Sequence, residues 1–255
     1  MITNILEPLV CKRFLSDVHY REGHLRVINA LPTRRVMGLH TQEMKTVAKD
    51  LSKKYGKEII GQFESTDKNT LYYEETVVWG YLINHEKCTL NERIPMLNHY
   101  IPILDNWAVC DSFCANAKWI ARTDKEAMWN FLEQWFESEH EFEVRFAIVI
   151  MMTYFLEEEW LEHIFRRIDN LDFSNIKSNY TTTKKRALTP QAGTVQGNEP
   201  YYVRMGVAWL LATALAKFPK ETKAYIKETQ LPEDVIKLYI RKAKESFRTR
   251  NMDAL

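Results

Sequence analysis

The sequence predicts an all-α fold, a solenoid of antiparallel helix pairs, and three observations lead to that prediction. The chain of 255 residues contains only 8 Gly and 8 Pro, and many-stranded folds use both residues freely in their turns. Helical periodicity dominates the sequence, and no alternating pattern of convincing length marks a strand. Two long apolar segments also carry the same short motif, which indicates an internal repeat.

Apolar residues that recur at three- and four-residue steps mark the helices. Val77, Val78, Tyr81 and Leu82 illustrate the pattern. Each such segment is about one helix long, and short polar gaps separate it from the next. The predicted helices cover residues 70–85, 92–104, 106–120, 125–136, 141–155, 201–218 and 232–247.

The repeated motif reads VRFAI at residues 144–148 and VRMGV at residues 203–207, so that Arg145 and Arg204 are 59 residues apart. If about 20 residues between them are an insertion, the period falls to roughly 40, as expected for HEAT-type helix pairs. Such pairs stack into an α-α superhelix whose inner helices line a concave groove. We therefore expect one HEAT-like repeat domain over residues 1–255.

Residues 170–200 interrupt the helical pattern. The stretch is rich in Asn, Thr, Lys, Gly and Gln, and it lacks the apolar residues that would order it. We expect a mobile insertion. Its basic run of Lys184, Lys185 and Arg186 has two interpretations, an inert insertion or a contact with nucleic acid.

Charge is distributed unevenly along the chain, although the net charge is only +1. Residues 121–169 contain 12 Asp or Glu against 5 Lys or Arg. Residues 200–255 contain 11 Lys or Arg against 6 Asp or Glu. The basic end could contact phosphate, or it could be a solvated helix surface.

The four cysteines do not indicate a metal site. No pair has CxxC spacing, and no histidine cluster completes a zinc site. Cys110 and Cys114 lie four residues apart, as expected for core thiols on one helix face. We expect a reducing, cytoplasmic location, because neither a signal peptide nor a run of about 20 apolar residues is evident.

The stretch with the most chemical promise reads DNWAVCD at residues 105–111 and opens a predicted helix. Trp107 and Asp111 are four residues apart and therefore project from one face. A carboxylate can stabilise a developing cation or orient a water molecule, and an indole can present its π-face to a cationic group. From the pattern alone, a tryptophan and an aspartate at this spacing can equally be core and cap.

These residues resemble the DNA alkylation repair family, the AlkD-type DNA glycosylases built from HEAT-like repeats. The resemblance runs from about Leu15 to Phe247 and is closest to a shorter branch of the family. The DNWAVCD stretch is its most specific part. Further matches are VMGLHT at 36–41, VRFAI at 144–148, YYVRM at 201–205 and KESFR at 244–248.

The resemblance implies a role for individual residues. Asp111 matches the catalytic carboxylate of the family, Trp107 and Trp209 match its groove aromatics, and Arg145 matches a groove arginine near the DNA backbone. Without the resemblance, Trp209 would be a core residue, and Arg145 and Arg204 could brace adjacent repeats through carboxylates.

The implied activity is the excision of N3- or N7-alkylated purines from duplex DNA by hydrolysis of the N-glycosidic bond. The resemblance implies no metal and no cofactor, alkylated duplex DNA as the partner, no membrane association and a monomer. The alternative is a HEAT-like module that binds DNA or a protein without cutting a glycosidic bond.

Overall fold

The computed structural model describes residues 2–182, 188–195 and 199–255 and confirms the all-α prediction. The chain divides into two compact units, and the single repeat domain over residues 1–255 remains a prediction. The first comprises Met1–Asp124 with Leu188–Gly193, and the second comprises Lys125–Ala187 with Thr194–Leu255. Each unit has its own buried core.

The described residues of the first unit include eight helices. They are α1 (Thr3–Leu6), α2 (Lys12–Ser16), α3 (Val18–Ile28), α4 (Thr41–Tyr55), α5 (Lys57–Glu64), α6 (Tyr73–His85), α7 (Leu90–Tyr100) and α8 (Trp107–Asn116). Single 3₁₀ turns lie at Glu7–Leu9, Lys68–Thr70, Ile101–Ile103 and Lys118–Arg122. Helix α6 packs between α4 and α8, and α5 and α7 cover its other side.

Among the described residues of the second unit, six helices are present. They are α9 (Lys125–Phe136), α10 (Glu141–Tyr154), α11 (Leu161–Asp169), α12 (Tyr201–Lys217), α13 (Pro219–Glu228) and α14 (Glu233–Glu245), with a 3₁₀ turn at Glu158–Trp160. Helix α12 packs against α10 on one side and against α14 on the other. The predicted helices match α6, α7, α8, α9, α10, α12 and α14 to within a few residues.

The central helices differ from the flanking ones in how their apolar residues are arranged. Helix α6 is buried from Tyr73 to Ile83, and α10 and α12 are also apolar on most of their circumference. A helix that is apolar all round must be covered on every side. The amphipathic α4, α11 and α14 instead bury one stripe and expose the other.

The region of the predicted insertion contains two strands, β1 (Ser178–Thr182) and β2 (Leu188–Val195). The sequence analysis assigned no strand here, and the structure corrects it. Tyr180 of β1 is fully buried, with its ring 4.9 Å from that of Tyr202 and 5.9 Å from that of Phe142. One side chain buried by distant segments, such as Tyr180, does not produce an alternating apolar and polar pattern in the sequence, so the strand could not be predicted from it.

Lys184, Lys185 and Arg186 lie outside the described residues, and the mobility of the insertion remains a prediction.

A buried carboxylate organises the chain that precedes α4. Glu74, near the start of α6, is fully buried and accepts the backbone N–H groups of Met37 and Gly38 at 2.9 and 2.7 Å and that of Leu39 at 3.3 Å. Burial raises the pKa of Glu74, and these donors oppose the rise. Gly38 has φ +92°, and a Cβ there would collide with the ring of Phe14. The positive φ and the close contact with Phe14 explain why position 38 of the VMGLHT segment is a glycine.

A second buried carboxylate holds the second unit together. Glu141, the first residue of α10, accepts the hydroxyl of Ser178 and the backbone N–H of Tyr202. Burial raises the pKa of Glu141 to about 7, although these donors and the charge of Arg145 oppose the rise. One side chain thus connects α10 to both β1 and the start of α12.

The raised pKa of Glu141 predicts a pH-dependent stability. Between the unfolded value near 4.5 and the folded value of about 7, the folded protein binds more protons than the unfolded chain. The contribution of Glu141 to the free energy of unfolding is therefore largest below pH 4.5 and falls as the pH rises through 7. Glu141→Gln keeps an acceptor for Tyr202 and should flatten this fall in urea titrations between about pH 5 and pH 8. Parallel wild-type and variant profiles would contradict the prediction.

Helix propensity alone predicts that Gly80→Ala would raise the free energy of unfolding, whereas the close packing around Gly80 of α6 predicts that it would lower it. A Cβ at Gly80 would lie 2.8 Å from Cζ of Tyr100 and 3.1 Å from the ring of Phe113. Overpacking costs about 1–3 kcal/mol, more than the gain of up to about 1 kcal/mol from replacing a helical glycine. Gly80→Ala should therefore lower the free energy of unfolding, as measured by urea denaturation.

Gly61 of α5 provides the matched control for this prediction. A Cβ at Gly61 would have no heavy atom within 4 Å among the described residues. Gly61→Ala should raise the free energy of unfolding by roughly 0.5–1 kcal/mol. Equal effects of the two substitutions would show that packing at Gly80 is not the deciding factor.

Candidate functional site

The candidate site is built on the start of α8, and its first fixed point is Asp105. Nε and Nη2 of Arg34 both donate to Oδ2 of Asp105, at 2.8 and 2.6 Å. Burial raises the pKa of Asp105, and the guanidinium of Arg34 opposes the rise. The ion pair links the chain before α4 to the chain before α8 and limits where α8 can begin.

Asn106 makes the second connection. Its Oδ1 accepts the backbone N–H of Ala108 at 2.8 Å, which caps α8. Its Nδ2 donates to the backbone carbonyl of Ile28, the last residue of α3. The side chain is buried, so both of its polar ends are satisfied away from water.

Trp107 makes the third connection through its indole N–H. Nε1 donates to the carbonyl of Val27 at 3.2 Å. The last carbonyls of a helix have no partner within that helix. Asn29, the residue that follows α3, has the left-handed conformation common at helix ends. Trp107 and Asn106 therefore donate hydrogen bonds to two of the last carbonyls of α3. The hydrogen bond also fixes the orientation of the half-buried indole.

Asp111 lies one helical turn after Trp107 on α8 and is also half-buried. The two side chains share one face of the helix, as the spacing predicted. Cys110 and Cys114 are buried, as predicted for core thiols. The structure thus presents an indole and a carboxylate side by side, from a helix whose start is fixed by three side-chain contacts.

Trp209 of α12 belongs to the second unit and is not a core residue. It is 37% exposed, and it lines a cavity of about 480 Å³ with residues of α14 and the segment after it. Lys242 and Glu245 form an ion pair of 2.9 Å in the cavity wall, and Arg248 adds a further positive charge. An accessible indole beside cationic side chains is suited to an anionic ligand with a flat ring.

Arg145 of α10 is only 4% exposed. Its Nη1 donates to the carbonyl of Tyr202 at 2.6 Å, and its charge stabilises the carboxylate of Glu141. These contacts give Arg145 a structural role within the second unit. A contact with DNA would require the side chain to move, and the predicted contact remains a prediction.

Arg204 makes the kind of contact expected of an arginine that braces adjacent repeats through a carboxylate. It forms an ion pair with Asp234, so that the start of α12 is tied to the start of α14. The common groove predicted for Trp107, Asp111, Arg145 and Trp209 also remains a prediction, since the first two residues lie in one unit and the others in the second.

Sequence reasoning missed the residues that position the site. Asn106 precedes a helix and is a residue type typical of N-caps, so its capping role could have been found. Arg34 gives no comparable signal, because its partner Asp105 is 71 residues away. Pairing over that distance is visible only in the folded chain.

The described residues include no group of three or more His, Cys, Asp or Glu side chains that could hold a metal ion. None of the helices in this part of the chain combines the length and apolar character that a membrane crossing requires.

The double role of Asn106 predicts a large effect on stability. Asn106→Ala removes the cap of α8 and leaves the Ile28 carbonyl without its donor, so the free energy of unfolding should fall by about 1–3 kcal/mol. Asn116→Ala, at the other end of α8, removes only a contact to the carbonyl of Ser112 and should cost less than about 0.5 kcal/mol. Urea denaturation measures both, and equal costs would contradict the anchoring role.

Comparison with known proteins adds one match. The family model described as DNA alkylation repair enzyme matches residues 17–247. Comparisons with curated proteins and with solved structures found no match. The matched range contains the anchored start of α8, Trp209 and both buried carboxylates. The chain therefore belongs to the DNA alkylation repair enzyme family.

Proposed function

We propose that the protein hydrolyses the N-glycosidic bond of N3- or N7-alkylated purines in duplex DNA. The observation that carries the proposal is the pairing of Trp107 and Asp111 on the anchored face of α8. Family membership supports a role in DNA repair. The accessible carboxylate and the oriented indole support the specific reaction.

The chemistry needs few groups from the protein. Alkylation at N3 or N7 makes the purine cationic, so the base leaves as a neutral molecule with the electron pair of the C1′–N bond. Positive charge builds up on the sugar as this bond breaks, and the carboxylate of Asp111 would stabilise it. A water molecule then adds to C1′ and gives up one proton. No group has to protonate the leaving base.

Trp107 would contribute through its ring. A π-face attracts cations by about 0.5–2 kcal/mol, depending on desolvation, and both the alkylated base and the developing sugar cation are positive. The hydrogen bond to Val27 holds the ring in place without ligand, so little conformational entropy is lost when the substrate binds.

A second candidate function is a DNA-binding module without turnover. The cavity beside Trp209 favours it, since Arg248 and the exposed indole could hold DNA without reaching a glycosidic bond. Activity measurements separate the two functions.

The test of catalysis is Asp111→Asn. This change keeps the shape of the side chain and removes the charge that stabilises the transition state, so DNA binding should change little. Release of N3- or N7-methylpurine from alkylated duplex DNA should fall on the order of 10²–10³-fold. Glu22→Gln removes one exposed negative charge from α3 of the same unit and should release base at the wild-type rate.

Three outcomes would contradict the proposal. Wild-type protein that binds alkylated DNA but releases no base would favour the binding module. Equal rates for Asp111→Asn and Glu22→Gln would remove Asp111 from the mechanism. A sharp drop in the melting temperature of Asp111→Asn would make Asp111 a structural carboxylate.

A further inference from the structure

The segment that follows α14 presents an aromatic ring to solvent. Phe247 is 81% exposed, more than any other large apolar side chain in the described part of the chain. Phenylalanine is one of the residue types most often buried in proteins. Its neighbours Ser246 and Arg248 line the Trp209 cavity, whereas Phe247 is not among the residues of that cavity wall. The ring therefore contributes neither to the core of the second unit nor to the cavity.

Hydrogen bonds fix the turn that carries Phe247. The carbonyl of Ser246 accepts the backbone N–H groups of Thr249 and Arg250, at 3.2 and 2.8 Å. Thr249 is buried, and its hydroxyl donates to the carbonyl of Ala243 in α14 at 2.7 Å. The backbone of Phe247 is thus held in place before any ligand binds, so a contact made by its ring costs little conformational entropy.

Arg250 covers one side of the exposed ring. Its Cζ atom lies 4.7 Å from the ring centre of Phe247, which is within the range of a cation–π contact. Neither Arg248 nor Arg250 forms an ion pair with a carboxylate of the described residues, whereas Arg204 of α12 pairs with Asp234. The ring therefore lies beside two guanidinium groups whose positive charge is not neutralised by a carboxylate.

These properties define the chemistry of a ligand for this turn. An accessible ring favours a flat partner on which it can stack, and unpaired guanidinium groups favour a negatively charged one. Nucleic acid has both, because each nucleotide combines a base that has a π-face with a phosphate. In a duplex the bases cover one another, so a side chain reaches a π-face only at a base step that has been opened.

We propose that Phe247 inserts at an opened base step of bound DNA and stacks on a nucleobase. The choice of DNA as the ligand rests on the proposed function. Hydrolysis of an N-glycosidic bond leaves a sugar without a base, and the gap in the stack gives an aromatic ring room to enter. The insertion would add a contact with the bases themselves, made by a residue outside the Trp107 and Asp111 pair.

The experiment measures the affinity of the full chain for two short duplexes by fluorescence anisotropy. One duplex is intact, and the other contains a central tetrahydrofuran, a stable analogue of an abasic site whose stack is already interrupted. Phe247→Ala removes the ring, and Phe247→Tyr keeps one. Leu255→Ala removes an exposed apolar side chain from the same segment of the chain and serves as the control.

Wild-type protein should bind the tetrahydrofuran duplex more tightly than the intact one, because fewer bases have to be unstacked. Phe247→Ala should bind the tetrahydrofuran duplex about 5–100-fold more weakly, as when other stacking aromatic residues are replaced by alanine. Phe247→Tyr and Leu255→Ala should bind it as wild type does.

Salt dependence separates stacking from a phosphate contact. A stacking ring releases no counterions, so Phe247→Ala should keep the wild-type slope in a plot of log K against log salt. A shallower slope would mean that the variant has lost a phosphate contact, and it would overturn the stacking proposal.

Four other results would overturn the proposal. Phe247→Ala could match Leu255→Ala on the tetrahydrofuran duplex, or Phe247→Tyr could lose as much affinity as Phe247→Ala does. A lower melting temperature for Phe247→Ala would make the ring a packing residue. Self-association of wild-type protein in sedimentation experiments, abolished by Phe247→Ala, would make the ring a contact for a second copy of the chain.

The outcomes distinguish this proposal from the proposed function. If wild-type protein releases alkylated purines and Phe247→Ala binds as the control does, the stacking proposal fails and catalysis stands. If Phe247→Ala binds more weakly as expected and wild-type protein releases no base, catalysis fails and the stacking proposal stands. Wild-type protein that binds neither duplex overturns the stacking proposal.

Discussion

The candidate site depends on how α8 is held at the end of α3. A helix leaves its last carbonyls without partners, and here Trp107 and Asn106 donate to the carbonyls of Val27 and Ile28. Because Asn106 also caps α8, one residue both starts the helix and attaches it to its neighbour. Asp111 then projects from a helix that is fixed before any ligand binds, which is the condition for electrostatic stabilisation of a transition state.

Two buried carboxylates also connect segments that are distant in the sequence. Glu74 gathers three backbone N–H groups before α4, and Glu141 connects α10 to β1 and α12. Burying a carboxylate costs free energy, and the donors around both groups offset part of that cost, since burial still raises the pKa of each. Their donors come from distant segments, so these side chains determine how helices meet rather than whether helices form.

Cationic side chains occupy two distinct environments in this protein. Arg34, Arg145 and Arg204 are largely buried and pair with carboxylates or carbonyls, which suits the fixed fork of the guanidinium. The lysines along α4 are accessible and, among the described residues, without an ion pair. Sequence composition does not separate these environments, because a net charge of +1 averages over both.

The sequence by itself determined seven of the helices that the structure describes, and the pair on α8. Periodicity at three and four residues is a local property, so it located α6 to α10, α12 and α14, and it placed Trp107 and Asp111 on one face. Only the tertiary structure decided the rest: that β1 forms around Tyr180, that Arg145 is buried, and that Trp209 is exposed. The physical reason is that each of these outcomes depends on which distant segment covers the residue, and no local pattern of side chains records that partner.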